Sequence, residues 1–229
     1  MTKDITIDMT GLRERPTSAE AKAGIEQPYH MTSILRRLFP SVEWSHEYLK
    51  DSMGKCIQIV GASRIAPDFW NLDLKIKGKK GVVIEIDGDS ISQPNHFSRT
   101  EVAVTDIHKD EAYRNYGFEN IVRIPPYIQL DNEMVEHYFG ELPSAKHIGD
   151  LYPAVHEHGF AHPLITLPAD FCELGIKRFM KDMESIPKNV RNKIIETLHA
   201  RVGDYQSKGF SLDEARSLVL PQSLYYLFN

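Results

Sequence analysis

The sequence predicts an α/β protein in which helices flank a mixed β-sheet and a mostly helical region follows. Two strand-like segments surround a glycine-containing turn at 77–81, which indicates a β-hairpin. A strand, a helix and another strand follow one another over 82–124, which is typical of a crossover between parallel strands. From Asp131 onward most of the chain has helical patterning. The predicted organisation is a flexible arm at 1–16, a domain at 17–140 and a helical region at 141–229.

The elements before the hairpin are predicted from a cap and from glycine and proline positions. Thr17-Ser18-Ala19-Glu20 has the spacing of a capping box, so a helical region is expected to begin there. It is expected to reach Phe39, with a break at Pro28. The apolar run Cys56–Val60 ends at Gly61 and predicts a short strand, which gives three strands before the next helix.

The hairpin is predicted from two segments with strand character. Asp68–Ile76 alternates in part between polar and apolar residues, and Val82–Asp87 is rich in β-branched side chains. Because Val82–Ile86 is a nearly continuous apolar run, this strand is expected to be buried. Glu85 lies inside that run, where an unpaired carboxylate is costly.

Helices and one more strand are predicted after the hairpin. The segment Thr100–Tyr116 is expected to form a helix that ends at a Gly117 C-cap. Its predicted apolar face consists of Val104, Ile107, Ala112 and Tyr116. Ile121–Ile124 predicts the next strand, which the following two prolines stop. Further helices are predicted at 132–139, 169–183, 189–205 and 212–218.

Composition narrows the class of protein. The chain has 229 residues and a formal net charge of −5. An acidic protein is not expected to coat nucleic acid without specificity, although a nuclease needs positive charge only locally. No apolar run approaches the roughly 20 residues of a transmembrane helix, and the N-terminus has no apolar signal region. With only two cysteines, far apart, a cytoplasmic protein without membrane contact is expected.

Carboxylates cluster at one end of the predicted hairpin. Asp68 begins its first strand, while Glu85 and Asp87 lie near the end of the second, and these two ends coincide in an antiparallel pair. Glu85 and Asp87 are two residues apart and therefore share a face. Asp73 lies nearer the turn and is a rival partner for Glu85. Like charges held this close need a cation, and Mg²⁺ prefers oxygen ligands, so a magnesium site that activates water is predicted.

Five short segments of this region have a distinctive order and spacing. They are Pro67-Asp68-Phe69, Val83-Ile84-Glu85-Ile86-Asp87-Gly88, Asp106-Ile107-His108-Lys109, Gly117 and Val122-Arg123-Ile124. This set resembles the PD-(D/E)xK restriction-endonuclease-like superfamily, nearest its very-short-patch-repair-like endonuclease branch. The resemblance covers about residues 17–126. It implies a core in the order helix-strand-strand-strand-helix-strand and Mg²⁺-dependent cleavage of DNA phosphodiester bonds.

The resemblance also implies roles for individual residues. Asp68 and Glu85 would be metal ligands. Asp87 stands where the superfamily usually has lysine and would hold the metal or position water. Lys109 would stand for a helical arginine of the branch and would offset charge at the scissile phosphate. Glu20 would add a carboxylate from the first helix.

Besides the lysine at position 109, the chain departs from the branch in two further respects. The separation between Asp68 and Glu85 is longer, which keeps Asp73 open as the ligand. The branch often has a histidine soon after the Asp-Gly pair, whereas here His96 follows an insertion.

Basic segments are expected to contact the DNA backbone. Lys77, Lys79 and Lys80 in the hairpin turn, together with the basic helices after Lys177, would position DNA without reading its sequence. The missing lysine beside Glu85 and the acidic net charge also support an alternative, in which the same fold has lost its metal site and binds DNA or a protein partner. The region at 141–229 is left open between DNA recognition, formation of a homodimer and covering of the sheet.

Overall fold

In the computed structural model the described residues are 35–36, 38–87, 96–125, 127–128, 130–142 and 167–228. Their strands and helices are, in chain order, β1 (Phe69–Ile76), β2 (Lys79–Ile86), α1 (Thr100–Tyr116), β3 (Asn120–Ile124), α2 (Asn132–Phe139), α3 (Glu173–Ser185), α4 (Lys188–Ser207) and α5 (Leu212–Ser217). Short 3-10 helices lie at Pro168–Asp170 and Gln222–Phe228. The predicted arm at 1–16 and the capping box with Glu20 lie outside the described residues.

The strands form a mixed sheet in the order β1-β2-β3. β1 and β2 are antiparallel and are joined by Lys77 and Gly78, both of which have positive φ, as a type I′ hairpin turn requires. β3 runs parallel to β2, with Glu85 beside Arg123 in register. Helix α1 is therefore a crossover between parallel strands, and the predicted hairpin and crossover are confirmed.

The strand predicted at Cys56–Val60 is wrong for the described structure. This segment makes isolated bridges instead, one between Lys50 and Cys56 and one between Ile59 and Ala62. Each bridge joins residues close together in the chain, so turns satisfy these backbone groups locally and no strand of the sheet pairs with the run. An apolar run alone does not separate these two outcomes.

Two hydrophobic clusters lie on opposite faces of the sheet, and β2 contributes to both. Val82 and Ile84 belong to the larger cluster, whereas Val83 belongs to the smaller one with Tyr113 and Phe118. All three β2 side chains are fully buried. This confirms that the β-branched strand is buried, and it places the residues that follow Val83 in a protected environment.

The C-terminal helices share the larger cluster with the sheet. Phe179 of α3, Leu198 of α4 and Ala215 of α5 are buried in it together with Val82. These helices therefore share one hydrophobic core with the sheet. Within the described ranges, none of the helices has both the length and the apolar character that crossing a bilayer requires.

Helix α1 has the predicted bounds, and Gly117 adopts the left-handed conformation of a C-cap, so both predictions are confirmed. Its predicted apolar face is partly wrong. Ile107 is 48% exposed, whereas Asp106 and Tyr113 are buried. The face that meets the sheet carries ionisable groups, and their burial is tolerated because each of them has a partner of complementary charge or a hydrogen bond.

Candidate active site

Glu85 is a carboxylate buried at the end of β2, with 4% of its surface exposed. Its Oε1 accepts a hydrogen bond from the Tyr113 hydroxyl and lies 3.5 Å from the Lys109 ammonium. Lys109 and Tyr113 are four residues apart and so share one face of α1. Both donors reach the same oxygen. Among the described residues no donor reaches the other oxygen, Oε2, which is therefore available to a ligand.

The charges of this group are fixed by their surroundings. The carboxylate of Glu85 raises the pKa of Lys109 above its usual value, and the opposing effect of burial is smaller. Burial and the charge of Glu85 together raise the pKa of Tyr113 far above its usual value. Lys109 therefore stays cationic at neutral pH, and the Tyr113 hydroxyl keeps the proton that it donates to Glu85.

Asp68 meets Glu85 across the hairpin. Phe69 pairs with Ile84 in the antiparallel register, so the next step outward sets Asp68 opposite Glu85. The Oδ2 atom of Asp68 accepts a hydrogen bond of 2.7 Å from the backbone N–H of Ile86. This bond holds the carboxylate at the same end of the sheet as Glu85.

Asp73, the rival ligand, is not part of this site. Its side chain is 92% exposed and lies 3.2 Å from the Lys80 ammonium near the hairpin turn. The register of β1 shifts between Asn71 and Lys75. This irregularity and the turn accommodate the separation between Asp68 and Glu85, which is longer than in the endonuclease branch. Asp68 therefore remains the aspartate opposite Glu85.

Asp87 follows β2 and is the centre of a buried ion-pair network. Its Oδ1 lies 2.8 Å from Nη1 of Arg123, and its Oδ2 accepts a hydrogen bond from Arg178. Asp106 approaches the same two guanidinium groups, at 3.4 Å and 4.0 Å. His96 Nδ1 lies 2.5 Å from Asp106 and 3.4 Å from Asp87. Because a carboxylate only accepts, this nitrogen carries the proton.

The two arginines decide the charge of Asp87. Burial by itself would raise the pKa of the Asp87 carboxyl, but the positive charges of Arg178 and Arg123 outweigh it and hold that pKa well below its usual range. Burial would lower the pKa of Arg123, and the facing carboxylates, Asp87 first among them, hold it well above its usual value. Asp87, Arg123 and Arg178 are therefore charged at neutral pH.

Asp87, His96 and Asp106 offer three ligand atoms within 4.8 Å of one another, so this group could hold a metal ion. Two guanidinium groups already neutralise the same carboxylates, and a bound cation would be repelled by them. Mg²⁺ also prefers oxygen ligands to imidazole nitrogen. Asp68 and Glu85, in contrast, offer only carboxylate oxygens.

Several residues of these groups were not assigned from the sequence. Tyr113 has a recognisable signal, since it lies seven residues after Asp106 and therefore on the same helical face. Arg123 lies in one of the quoted motifs, but no partner was assigned to it. Arg178 carries no signal, because 91 residues separate it from Asp87 and nothing local links the two.

This end of the hairpin thus carries an acidic pair, Asp68 and Glu85, with the ammonium of Lys109 beside Glu85. Comparisons with protein-family models, with curated proteins and with solved structures found no match to this chain. Function is therefore inferred from the charge and spacing of the side chains themselves.

Proposed function

We propose that this chain is a Mg²⁺-dependent endonuclease with a restriction-endonuclease-like core that hydrolyses phosphodiester bonds in DNA. The observation that carries the proposal is the position of Glu85. One of its oxygens is held by Lys109 and Tyr113, the other has no donor among the described residues, and Asp68 lies opposite. The order β1-β2-α1-β3 supports the proposal, because it matches the last four elements of the core that the sequence resemblance implies.

Each side chain of the site has a distinct role in this proposal. Asp68 and Glu85 would hold the metal ion. When bound, Mg²⁺ supplies positive charge to the phosphate and lowers the pKa of a water molecule. Tyr113 fixes the orientation of Glu85 through its hydrogen bond. Lys109 places an ammonium beside Glu85 from the helix, and this charge offsets the charge that develops on the phosphate, in the role of the helical arginine that the resemblance implies.

One observation favours the alternative of a binding module that does not cleave. Both oxygens of Asp87 are engaged by arginines, so the strand that carries Glu85 offers no further free carboxylate at this position. Two carboxylates hold Mg²⁺ only with the help of water or substrate oxygens. In this alternative the same surface binds DNA or a protein partner.

Removing the charge of Glu85 is the direct test of catalysis. Glu85→Gln is expected to lower the rate of Mg²⁺-dependent nicking of a supercoiled plasmid by at least about 100-fold, because the metal loses a charged ligand. Lys109→Met is expected to lower the rate by a similar factor while keeping the aliphatic stem. The measurement is the initial nicking rate with Mg²⁺ and with EDTA.

Asp73→Asn is the matched control, since it removes an exposed carboxylate from the same hairpin. It should leave the rate unchanged. Nicking that survives in Glu85→Gln, or that continues in EDTA, contradicts the proposal. DNA binding without cleavage in the unaltered chain supports the binding module instead.

A further inference from the structure

A groove of about 650 Å³ lies along β3, between α1 and α3. Seven of its nineteen lining residues are lysine or arginine, and three are aspartate. The cations are Lys77 and Lys79 from the hairpin, Arg114 from α1, Arg123 from β3, and Lys177, Arg178 and Lys181 from α3. A chain with a net charge of −5 thus gathers a surplus of four positive charges around one groove. We call it the basic groove.

The floor of the basic groove is neutralised, but its rim is not. Arg123 and Arg178 at the floor are paired with buried carboxylates of the ion-pair network. On the rim, no salt bridge within the described residues holds Lys79 or Lys181. Lys177 pairs with Glu173 at 2.5 Å, but both side chains are mostly exposed, and such pairs contribute little.

Lys77 joins the hairpin to α2 at the groove. Its ammonium donates to the backbone carbonyl of His137, a neutral acceptor that leaves its charge in place. Burial and the charge of Lys77 lower the pKa of His137 below its usual value. Burial has the larger effect on this pKa, and the smaller contribution of Lys77 has the sign expected of a positive charge nearby.

The basic groove is also connected to the candidate active site. Asp106 lines it, and Lys109 follows on the same helix three residues later, beside Glu85. Hairpin, crossover helix and C-terminal helix thus present cations to one groove, and α1 borders both this groove and Glu85. We propose that the basic groove holds the sugar–phosphate backbone of a nucleic acid strand on one side of the cleavage position. This inference rests on the proposed endonuclease function for the position of the groove in the reaction, although binding itself is measured separately.

The basic groove includes only some of the basic residues that the sequence suggested for contact with the DNA backbone. Lys80 is not among the lining residues, and it pairs with Asp73 on the surface of the hairpin. Of the basic helices after Lys177, α3 is the one that lines the groove, and its Lys177 and Lys181 form one wall. Both are exposed and four residues apart, so they lie on one face of the helix.

The test measures binding in a chain that cannot cleave. In the Glu85→Gln background and in EDTA, the triple variant Lys79→Gln, Lys177→Gln and Lys181→Gln is compared with its parent by fluorescence anisotropy on a labelled DNA duplex and the matching single strand. We expect affinity for the preferred form to fall at least about tenfold, and the slope of log K against log salt to flatten by about 2 to 3 on the duplex.

The matched control is the triple variant Lys50→Gln, Lys55→Gln and Lys208→Gln, which removes the same charge from exposed lysines outside the groove. It should change affinity less than about threefold. An equal loss in both triple variants, or no loss in the groove variant, overturns the assignment. If the unaltered chain never nicks plasmid but the groove variant loses binding, the endonuclease proposal is overturned and the groove assignment stands. If the unaltered chain nicks plasmid and the groove variant binds as tightly as its parent, only the groove assignment is overturned.

Discussion

Asp87→Asn is expected to lower the free energy of unfolding by about 3–5 kcal/mol. Asp87 is 1% exposed and neutralises two guanidinium groups, whose side chains are 11% and 21% exposed. Asparagine keeps the shape of the side chain but leaves Arg123 and Arg178 short of a counter-charge in a site that excludes water. Chemical denaturation at neutral pH measures the loss.

Two further variants separate this cause from a general effect of the substitution. Asp73→Asn makes the same chemical change at an exposed site and should shift the free energy of unfolding by less than about 0.5 kcal/mol. Adding Arg178→Met to Asp87→Asn should recover part of the loss, because it removes one of the two stranded charges. A double variant less stable than Asp87→Asn alone would mean that stranded charge is not the cause.

The ion pairs of Asp87 also make the stability difference between the parent and Asp87→Asn depend on pH. The pKa of Asp87 is held below its usual value in the folded protein, so in moderately acidic solution the unfolded chain binds more protons than the folded one. The carboxylate therefore stabilises the fold above about pH 4, and this contribution is lost as the pH falls further. The stability difference between the parent and Asp87→Asn should narrow by about 1 kcal/mol between about pH 6 and pH 3. A difference that stays constant would show that the Asp87 pairs do not act through charge.

Local patterns predicted most of the elements. Helix α1, its C-cap, the hairpin and the parallel strand β3 all follow from periodicity, β-branched runs, glycine and proline, and they lie within three residues of the predicted bounds. The exception is Cys56–Val60, whose apolar run satisfies its backbone through local turns. The two runs differ in their tertiary surroundings. β2 is covered on both faces, whereas within the described part of the chain no strand pairs with the Cys56–Val60 run.

The sequence predicted only one part of the candidate site. The end of the hairpin gathers Asp68 and Glu85, and register alone predicts this. Hydrophobic periodicity placed Ala112 and Tyr116 correctly against the interior but missed Asp106, because it counts polar residues as exposed. Asp106 breaks that assumption, since its charge is neutralised by Arg123 and by Arg178, and the latter comes from a helix far along the chain. Buried charge pairs that join distant segments have no local pattern.

Gly175→Ala is expected to destabilise the protein by about 2 kcal/mol, although alanine is the better helix former by about 1 kcal/mol. A Cβ at this position in the first turn of α3 would lie 2.0 Å from the carbonyl oxygen of Phe97. That oxygen accepts a hydrogen bond of 2.9 Å from the backbone N–H of Cys172, which caps the same helix. Backbone is thus packed on backbone, and the added methyl group must push the two apart.

The consequence reaches the ion-pair network. Phe97 is fully buried, and the guanidinium of Arg178 stacks over its ring at 4.5 Å. His96, the preceding residue, contacts Asp106. Displacing Phe97 therefore shifts His96 and loosens Arg178, so the imidazole NMR signal of His96 should move together with the loss of stability.

Gly203→Ala is the matched control, because Gly203 lies in α4 and a Cβ there would meet nothing within 4 Å. The same substitution should stabilise the protein at that position by up to about 1 kcal/mol. The two variants are thus expected to differ in sign, with melting temperature and denaturant midpoint as the measurements. Equal stabilisation by both would mean that α3 and the Phe97 segment do not pack backbone to backbone, and the support for His96 beside Asp87 and Asp106 would then have to come from elsewhere.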